Sequence, residues 1–255
     1  MNNNFTMAIT GKGGTGKTVV AAILVKLLSQ KNDLKLLAID ADPAMSFGNA
    51  VGVAPSRTVG DIREEVYEDS RKPSPSRTPL DVIIENQLHS ILLETPDFHF
   101  ITMGRPEGPG CYCLINDLMR HLIDRLSQRY DFTIIDCEAG MEHISRRTIR
   151  NLDCLFIVTD PTQRGINTAS SIVKLAQDLN IEFANFYTII NKVTSDDVAL
   201  CEEMRSRITG TIPMDENVTW FDREGKPLLY LPEDSPAVLA VEEIANKAFL
   251  PVLRV

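Results

Sequence analysis

The chain has 255 residues, 44% of them apolar, which is enough for a substantial core. Its 26 Lys and Arg against 35 Asp and Glu leave a charge of −9 and a pI near 5.0, excluding the broad basic stripe of a nucleic-acid binder. No apolar run reaches transmembrane length, and Met1–Thr6 is polar without a basic flank, so neither an integral membrane span nor a signal peptide is expected.

Taken in chain order, Phe5–Thr10 is a short apolar run that predicts a buried strand. It leads into Gly11-Lys12-Gly13-Gly14-Thr15-Gly16-Lys17-Thr18 and then an amphipathic helix over Lys17–Ser29. Leu36–Asp40 predicts a second strand, closed by Asp40-Ala41-Asp42-Pro43. Val53–Pro79 breaks the rhythm: it is charged and rich in Ser, Pro and Arg, too polar for a core element, with one short helix expected over Val59–Glu68. Strands follow over Phe98–Met103, Phe132–Asp136, Leu155–Thr159 and Tyr187–Asn191, alternating with helices over Asn116–Gln128, His143–Arg150, Thr168–Leu179 and Val198–Arg207. Pro236–Ala248 predicts a terminal helix. The alternation predicts an α/β fold with a mostly parallel central sheet flanked by helices. A single domain over 1–255 is expected, with a polar excursion at about 53–79.

Residues 11–18 satisfy G-x-x-x-x-G-K-[ST] between a strand and a helix, the context that motif requires. Glycines let successive amides turn onto an anion, and the helix N-terminus adds partial positive charge. Lys17 is placed to reach the β and γ phosphates and the Thr18 hydroxyl to ligate Mg²⁺. Nucleotide contacts are thus expected from Gly11, Lys12, Gly13, Gly14, Thr15, Gly16, Lys17 and Thr18.

Cys111 and Cys113 sit in a loop dominated by Gly and Pro, Met103–Cys113, just ahead of a helix. Five cysteines are an odd number in a chain too large to need staples, which points to a reducing, cytoplasmic setting. Two thiols one residue apart do not readily close an unstrained disulfide, but both can ligate one soft metal. They supply half of a tetrahedral Zn²⁺ site, or of a tetrahedral or square-planar Ni²⁺ site. The remaining ligands come either from symmetry mates across a dimer or from a histidine such as His143. Cys137 is expected to be structural, and Cys154 and Cys201 are assigned no role.

Lys12, a second lysine inside the phosphate loop, makes the chain similar to the deviant Walker A ATPases, which include septum-site, partition, arsenical-pump and nitrogenase iron proteins. The resemblance implies a homodimer in which Lys12 reaches the partner's nucleotide, as an arginine finger does. It further implies that Asp42 orients the attacking water, that Asp40 lies near Mg²⁺, and that Asp136 holds a Mg²⁺-bound water, with Gly140 sensing the γ-phosphate. Adenine recognition is implied at Asn191 and along Pro213, Met214 and Asp215. Catalytic roles thus fall to Lys12, Lys17 and Asp42, and Mg²⁺ to Thr18, Asp40 and Asp136.

The combination of GKGGTGKT, DADPA, MGRPEGPGCYC, DCEAGMEHISRRT and NKV closely resembles the CooC-type ATPases, nickel-insertion accessory proteins of carbon monoxide dehydrogenase. That likeness implies an ATP- and ADP-binding homodimer that carries Ni²⁺ or Zn²⁺ on Cys111 and Cys113 to a nickel enzyme. Rival relatives fit less well. An iron protein would need a single cysteine in this loop and another after the second acidic motif, but Gly140–Ser145 has none. A partition ATPase would need basic surface. A septum-site ATPase would end in a basic amphipathic helix, whereas Val241–Val255 holds only Lys247 and Arg254. A guanine reader would place Asp where Thr194 stands.

Overall fold

The computed structural model describes residues 4–31, 33–70, 82, 87, 89–105, 113–139, 152–178, 183–203 and 208–249. Among them are strands β1 (Phe5–Gly11), β2 (Leu36–Ala41), β3 (Leu93–Glu94) and β4 (His99–Thr102). Strands β5 (Phe132–Cys137), β6 (Leu152–Thr159), β7 (Phe183–Val193) and β8 (Gly210–Pro213) complete one sheet in the order β3-β4-β2-β5-β1-β6-β7-β8. Every ladder is parallel except the short β3–β4 pair at one edge.

The helices are α1 (Lys17–Ser29), α2 (Ser46–Val51), α3 (Val59–Ser70) and α4 (Cys113–Leu126), then α5 (Gln163–Asp178), α6 (Val198–Glu203), α7 (Glu216–Arg223) and α8 (Pro236–Ala248). Strand side chains alternate between two cores because successive Cβ atoms leave a strand on opposite faces. Met7, Ile9, Ile134 and Phe156 pack with Ile23 and Leu24 of α1 and Val238 and Val241 of α8. Ala8, Ile135 and Ile157 pack with Leu122 and Ile123 of α4 and Ile172 of α5. Burial on both faces explains why the central strands read as continuous apolar runs.

Helix α3 corrects one expectation. Its segment is polar overall, yet Val59 and Ile62, three residues apart, are buried in the same core as Met103 and Ile123. One helical stripe suffices to dock an otherwise charged helix. Thr58 starts it reciprocally: the Thr58 amide and hydroxyl both donate to Asp61, and the Asp61 amide donates back to the Thr58 hydroxyl at 3.3 Å. The helix expected over His143–Arg150 lies outside the described residues. No helix among the described residues is long and apolar enough to cross a membrane.

The order places β1 between β5 and β6, where the chain's crossovers change direction, so a crevice opens at the strand C-termini there. Gly11, Asp40, Asp136, Thr159 and Asn191 all stand at those C-terminal ends.

Candidate functional site

The loop between β1 and α1 is shaped by backbone requirements that glycine alone meets. Gly11 has φ +146°, and a Cβ there would lie 2.0 Å from the Val158 carbonyl oxygen of the neighbouring strand. Gly16 has φ +89°, with the Asn191 amide nitrogen 2.3 Å from where a Cβ would sit. Gly16 caps α1 without a side chain to satisfy its first amides, and no acidic residue sits in the first turn. The positive end of the helix is therefore left for an external anion.

Donors outside the loop hold its carbonyls. Asn191 Nδ2 donates to the Thr15 carbonyl at 2.8 Å, and Lys192 Nζ to the Gly14 carbonyl at 2.8 Å. Because each peptide is planar and trans, the amides of Thr15 and Gly16 turn away from those two donors. The Thr15 hydroxyl shares its proton between the carbonyls of Lys12, at 2.9 Å, and Val158, at 3.1 Å. Lys17 is buried and folds back to donate to the Lys12 carbonyl at 3.3 Å.

Lys12, expected to reach a partner's nucleotide, is held within its own chain. Its ammonium pairs with Asp160 at 3.0 Å, with the two side chains 41% and 26% exposed. Partial burial tends to raise the Asp160 carboxyl, but the Thr162 hydroxyl and the Lys12 ammonium outweigh it and hold the group below its ordinary value.

Two acidic strand ends face each other, since Asp40 and Asp136 are register partners on β2 and β5. Asp136 Oδ2 accepts the Thr18 hydroxyl proton at 2.7 Å, whereas its buried Oδ1 has no hydrogen-bond partner. Burial raises the Asp136 carboxyl to about 7 against the lowering effect of Thr18, and nearby Asp40 pushes the same way as burial. An orphaned carboxylate oxygen beside a Thr hydroxyl, both hard donors, fits Mg²⁺. Ser46 Oγ, which motif reasoning missed, lies 3.5 Å from Thr18 Oγ1.

Asp40, expected near Mg²⁺, stands beside Asp136 with both carboxylate oxygens already accepting backbone amides. Its Oδ1 accepts the Asp42 amide and its Oδ2 the Phe47 amide, both at 3.0 Å. Burial still dominates and raises its carboxyl to about 7. It thereby ties down the turn that presents Asp42, whose Oδ1 accepts the Ala44 amide at 2.8 Å.

A cavity of about 540 Å³ runs from Lys17, Thr18 and Asp42 to Asn191, Pro213 and Met214. Its far wall holds the expected Asp215 and one addition. The Asp215 carboxylate caps two helices, accepting Asn217 N at 2.8 Å, Ala237 N at 2.9 Å and the buried Ser235 hydroxyl. Lys192 is the addition, holding φ 62°, an unusual conformation for a lysine that no sequence pattern announces. Asp160 carried a readable signal, an acid closing an apolar strand, and was overlooked.

Cys111, Gly140 and His143 lie outside the described residues. Cys113 is the first residue of α4, with its side chain likewise outside the description. Among the described residues no group of three or more His, Cys, Asp or Glu is arranged to hold a metal ion. Cys137 and Cys154 are buried, and burial pushes both thiols far up.

Comparison with known proteins matches residues 6–228 to the family described as the CobQ/CobB/MinD/ParA nucleotide binding domain. The chain is 40% identical over 248 residues to an uncharacterized ATP-binding protein of Methanocaldococcus jannaschii, covering 94% of this chain and 97% of that one. It is 31% identical over 237 residues to the carbon monoxide dehydrogenase accessory protein CooC of Rhodospirillum rubrum, covering 86% and 87%. The cell division ATPase MinD of Pyrococcus furiosus shares the fold, with a TM-score of 0.71 at 20% identity over 98% of this chain and 99% of that one. With its bare helix N-terminus, lysine-bearing glycine loop and paired strand-end carboxylates, the chain belongs to the CobQ/CobB/MinD/ParA nucleotide-binding family of P-loop ATP-binding proteins.

Proposed function

We propose that this chain is a Mg²⁺-dependent ATPase that works as a cytoplasmic homodimer. In this proposal it carries Ni²⁺ or Zn²⁺ on Cys111 and Cys113 and assists nickel insertion into carbon monoxide dehydrogenase or a related nickel enzyme. The observation that carries the ATPase half is the Thr18–Asp136 pair with its orphaned Asp136 Oδ1, set beside an uncapped helix N-terminus. The cargo half is supported by the 31% identity to CooC and by the two cysteines in its characteristic Gly/Pro loop.

In this scheme the α1 N-terminus and Lys17 bind the phosphates, and Thr18 and Asp136 hold Mg²⁺, which supplies charge neutralisation when bound. Asp42 orients the attacking water. Lys12 leaves Asp160 and crosses to the second subunit's nucleotide. Asn191 holds the loop against β7, and Pro213 and Met214 flank the base. Residues 1–255 act as one ATPase unit.

Calorimetry with Mg·ATP tests the first half: no heat of binding ends the proposal. For the cargo, equilibrium dialysis against Ni²⁺ and Zn²⁺ is expected to load the wild type, and a Cys111→Ala/Cys113→Ala double variant is expected to lose that metal. Full stoichiometry in the double variant would remove the thiolates as ligands.

A further inference from the structure

The strands that carry Asp40 and Asp136 at their C-termini begin at the opposite end of the sheet. There Lys35 precedes β2, His99 opens β4 and Tyr130 lies just ahead of β5. At 3.3 Å per strand residue, about 17 Å separates Lys35 from Asp40. A cavity of about 380 Å³ opens at this end, a volume in the range of small-ligand sites. Leu36 and Phe98, both buried, give it an apolar wall.

The pieces of chain that meet around the cavity are fixed by their own hydrogen bonds. The Lys35 amide donates to the Asp131 carboxylate at 2.8 Å, and the Lys35 carbonyl accepts the amides of Asp131 at 2.9 Å and Phe132 at 3.2 Å. Thr95 and Phe98 close a turn: the Thr95 amide donates to the Phe98 carbonyl at 3.1 Å, and the Phe98 amide to the Thr95 hydroxyl at 3.0 Å. The Tyr130 hydroxyl lies 2.7 Å from His99 Nδ1, with the two rings edge to face. Burial, helped by Glu94 and opposed by Arg129, pushes the Tyr130 phenol up to about 12, so it keeps its proton to donate. With His99 neutral, the ring's own proton then stands on Nε2 as a donor.

Lys35 and Arg129 also line the cavity, both exposed, and among the described residues neither has an ion-pair partner. Asp97 is the one acid among the described residues of the lining, so positive groups outnumber negative ones there, on a chain whose net charge is −9. Two cations and an imidazole donor beside an apolar wall match a ligand with a charged head and a carbon body.

We propose that this cavity binds a small organic anion, a carboxylate or phosphate group carried on an apolar body. Lys35 and Arg129 take the head, and Leu36 and Phe98 lie against the body. Neither the nucleotide nor the metal of the proposed function enters this site.

The experiment titrates benzoate and phenyl phosphate into the chain saturated with Mg·ADP, which occupies the phosphate loop, and follows binding by calorimetry. At least one is expected to bind with a Kd below about 2 mM, and the tighter of the two identifies the head group. Benzyl alcohol, which keeps the ring and lacks the charge, should bind at least about fivefold more weakly. The anion should lose at least about fivefold in affinity for Lys35→Ala/Arg129→Ala as well. That variant should keep its unfolding midpoint and its ADP affinity, both measured in parallel to separate a lost contact from misfolding. A Kd above about 2 mM for both anions, or a smaller loss in either comparison, overturns the proposal. Failure of wild type to bind Mg·ADP would instead count against the nucleotide reading alone.

Discussion

The Lys12–Asp160 ion pair yields a quantitative prediction about assembly. In the isolated chain the pair must break before Lys12 can serve a second subunit's nucleotide. A partly exposed pair of this kind contributes about 0.2–1 kcal/mol, and a two-fold dimer breaks two of them. Removing the pair by Asp160→Asn, which leaves an oxygen for the Thr162 hydroxyl, should therefore favour the ATP-bound dimer by about 0.4–2 kcal/mol in total. At 1.4 kcal/mol per tenfold, the dimer constant should tighten by about 2- to 30-fold. Sedimentation of wild type and Asp160→Asn with a non-hydrolysable Mg·ATP analogue measures this, and the difference should shrink with added salt. A dimer constant that is unchanged or weaker in the variant would refute the idea that Asp160 restrains Lys12.

Further outcomes concern single side chains. Asp42→Ala should bind Mg·ATP with near-normal affinity yet release phosphate at least about a hundredfold more slowly; normal turnover would assign the water to another group. The Asp136 carboxyl, raised to about 7 by burial, makes nucleotide-free protein lose stability as pH rises from about 4 to about 7, because the folded state binds the proton more tightly than the unfolded chain. Wild-type thermal midpoints minus those of Asp136→Asn isolate that slope and should fall across the window as pH rises; a difference that is flat contradicts the raised value. Asp215→Ala strips an acceptor from two helix starts and from Ser235, a loss of about 3 kcal/mol in urea unfolding; a change below about 1 kcal/mol would mean that the caps are replaced by water.

How far the sequence carried the structure depended on local signals. Helices α1 and α8 were readable to the residue, one opening at the glycine loop and the other starting at Pro236 after Ser235. The other six strands were legible because burial on both faces leaves unbroken apolar sequence. Strands β3 and β8 were not: both lie at the sheet edges, β3 is two residues long, and β8 is buried only at Ile212. Helices α2 and α7 are short and follow Met45 and Asp215, where sequence reading favoured motif function over helix start. Asp215 shows the general difficulty. An acid next to an expected base pocket resembles a ligand, and only the contacts of Asn217, Ser235 and Ala237 reveal a brace. Lys192 was hidden for the opposite reason, since a left-handed lysine leaves no trace in composition.

The braces of the phosphate loop have a consequence for synthesis. The loop leaves the ribosome long before the groups that lock it: Val158 is 143 positions beyond Thr15, Asn191 is 176 beyond it, and Lys192 is 178 beyond Gly14. A nascent chain arrested before residue 190 has the glycines, both lysines and Thr18 but lacks the clamp, and is expected to ignore ATP. Nucleotide capture is thus expected only once translation has delivered β7.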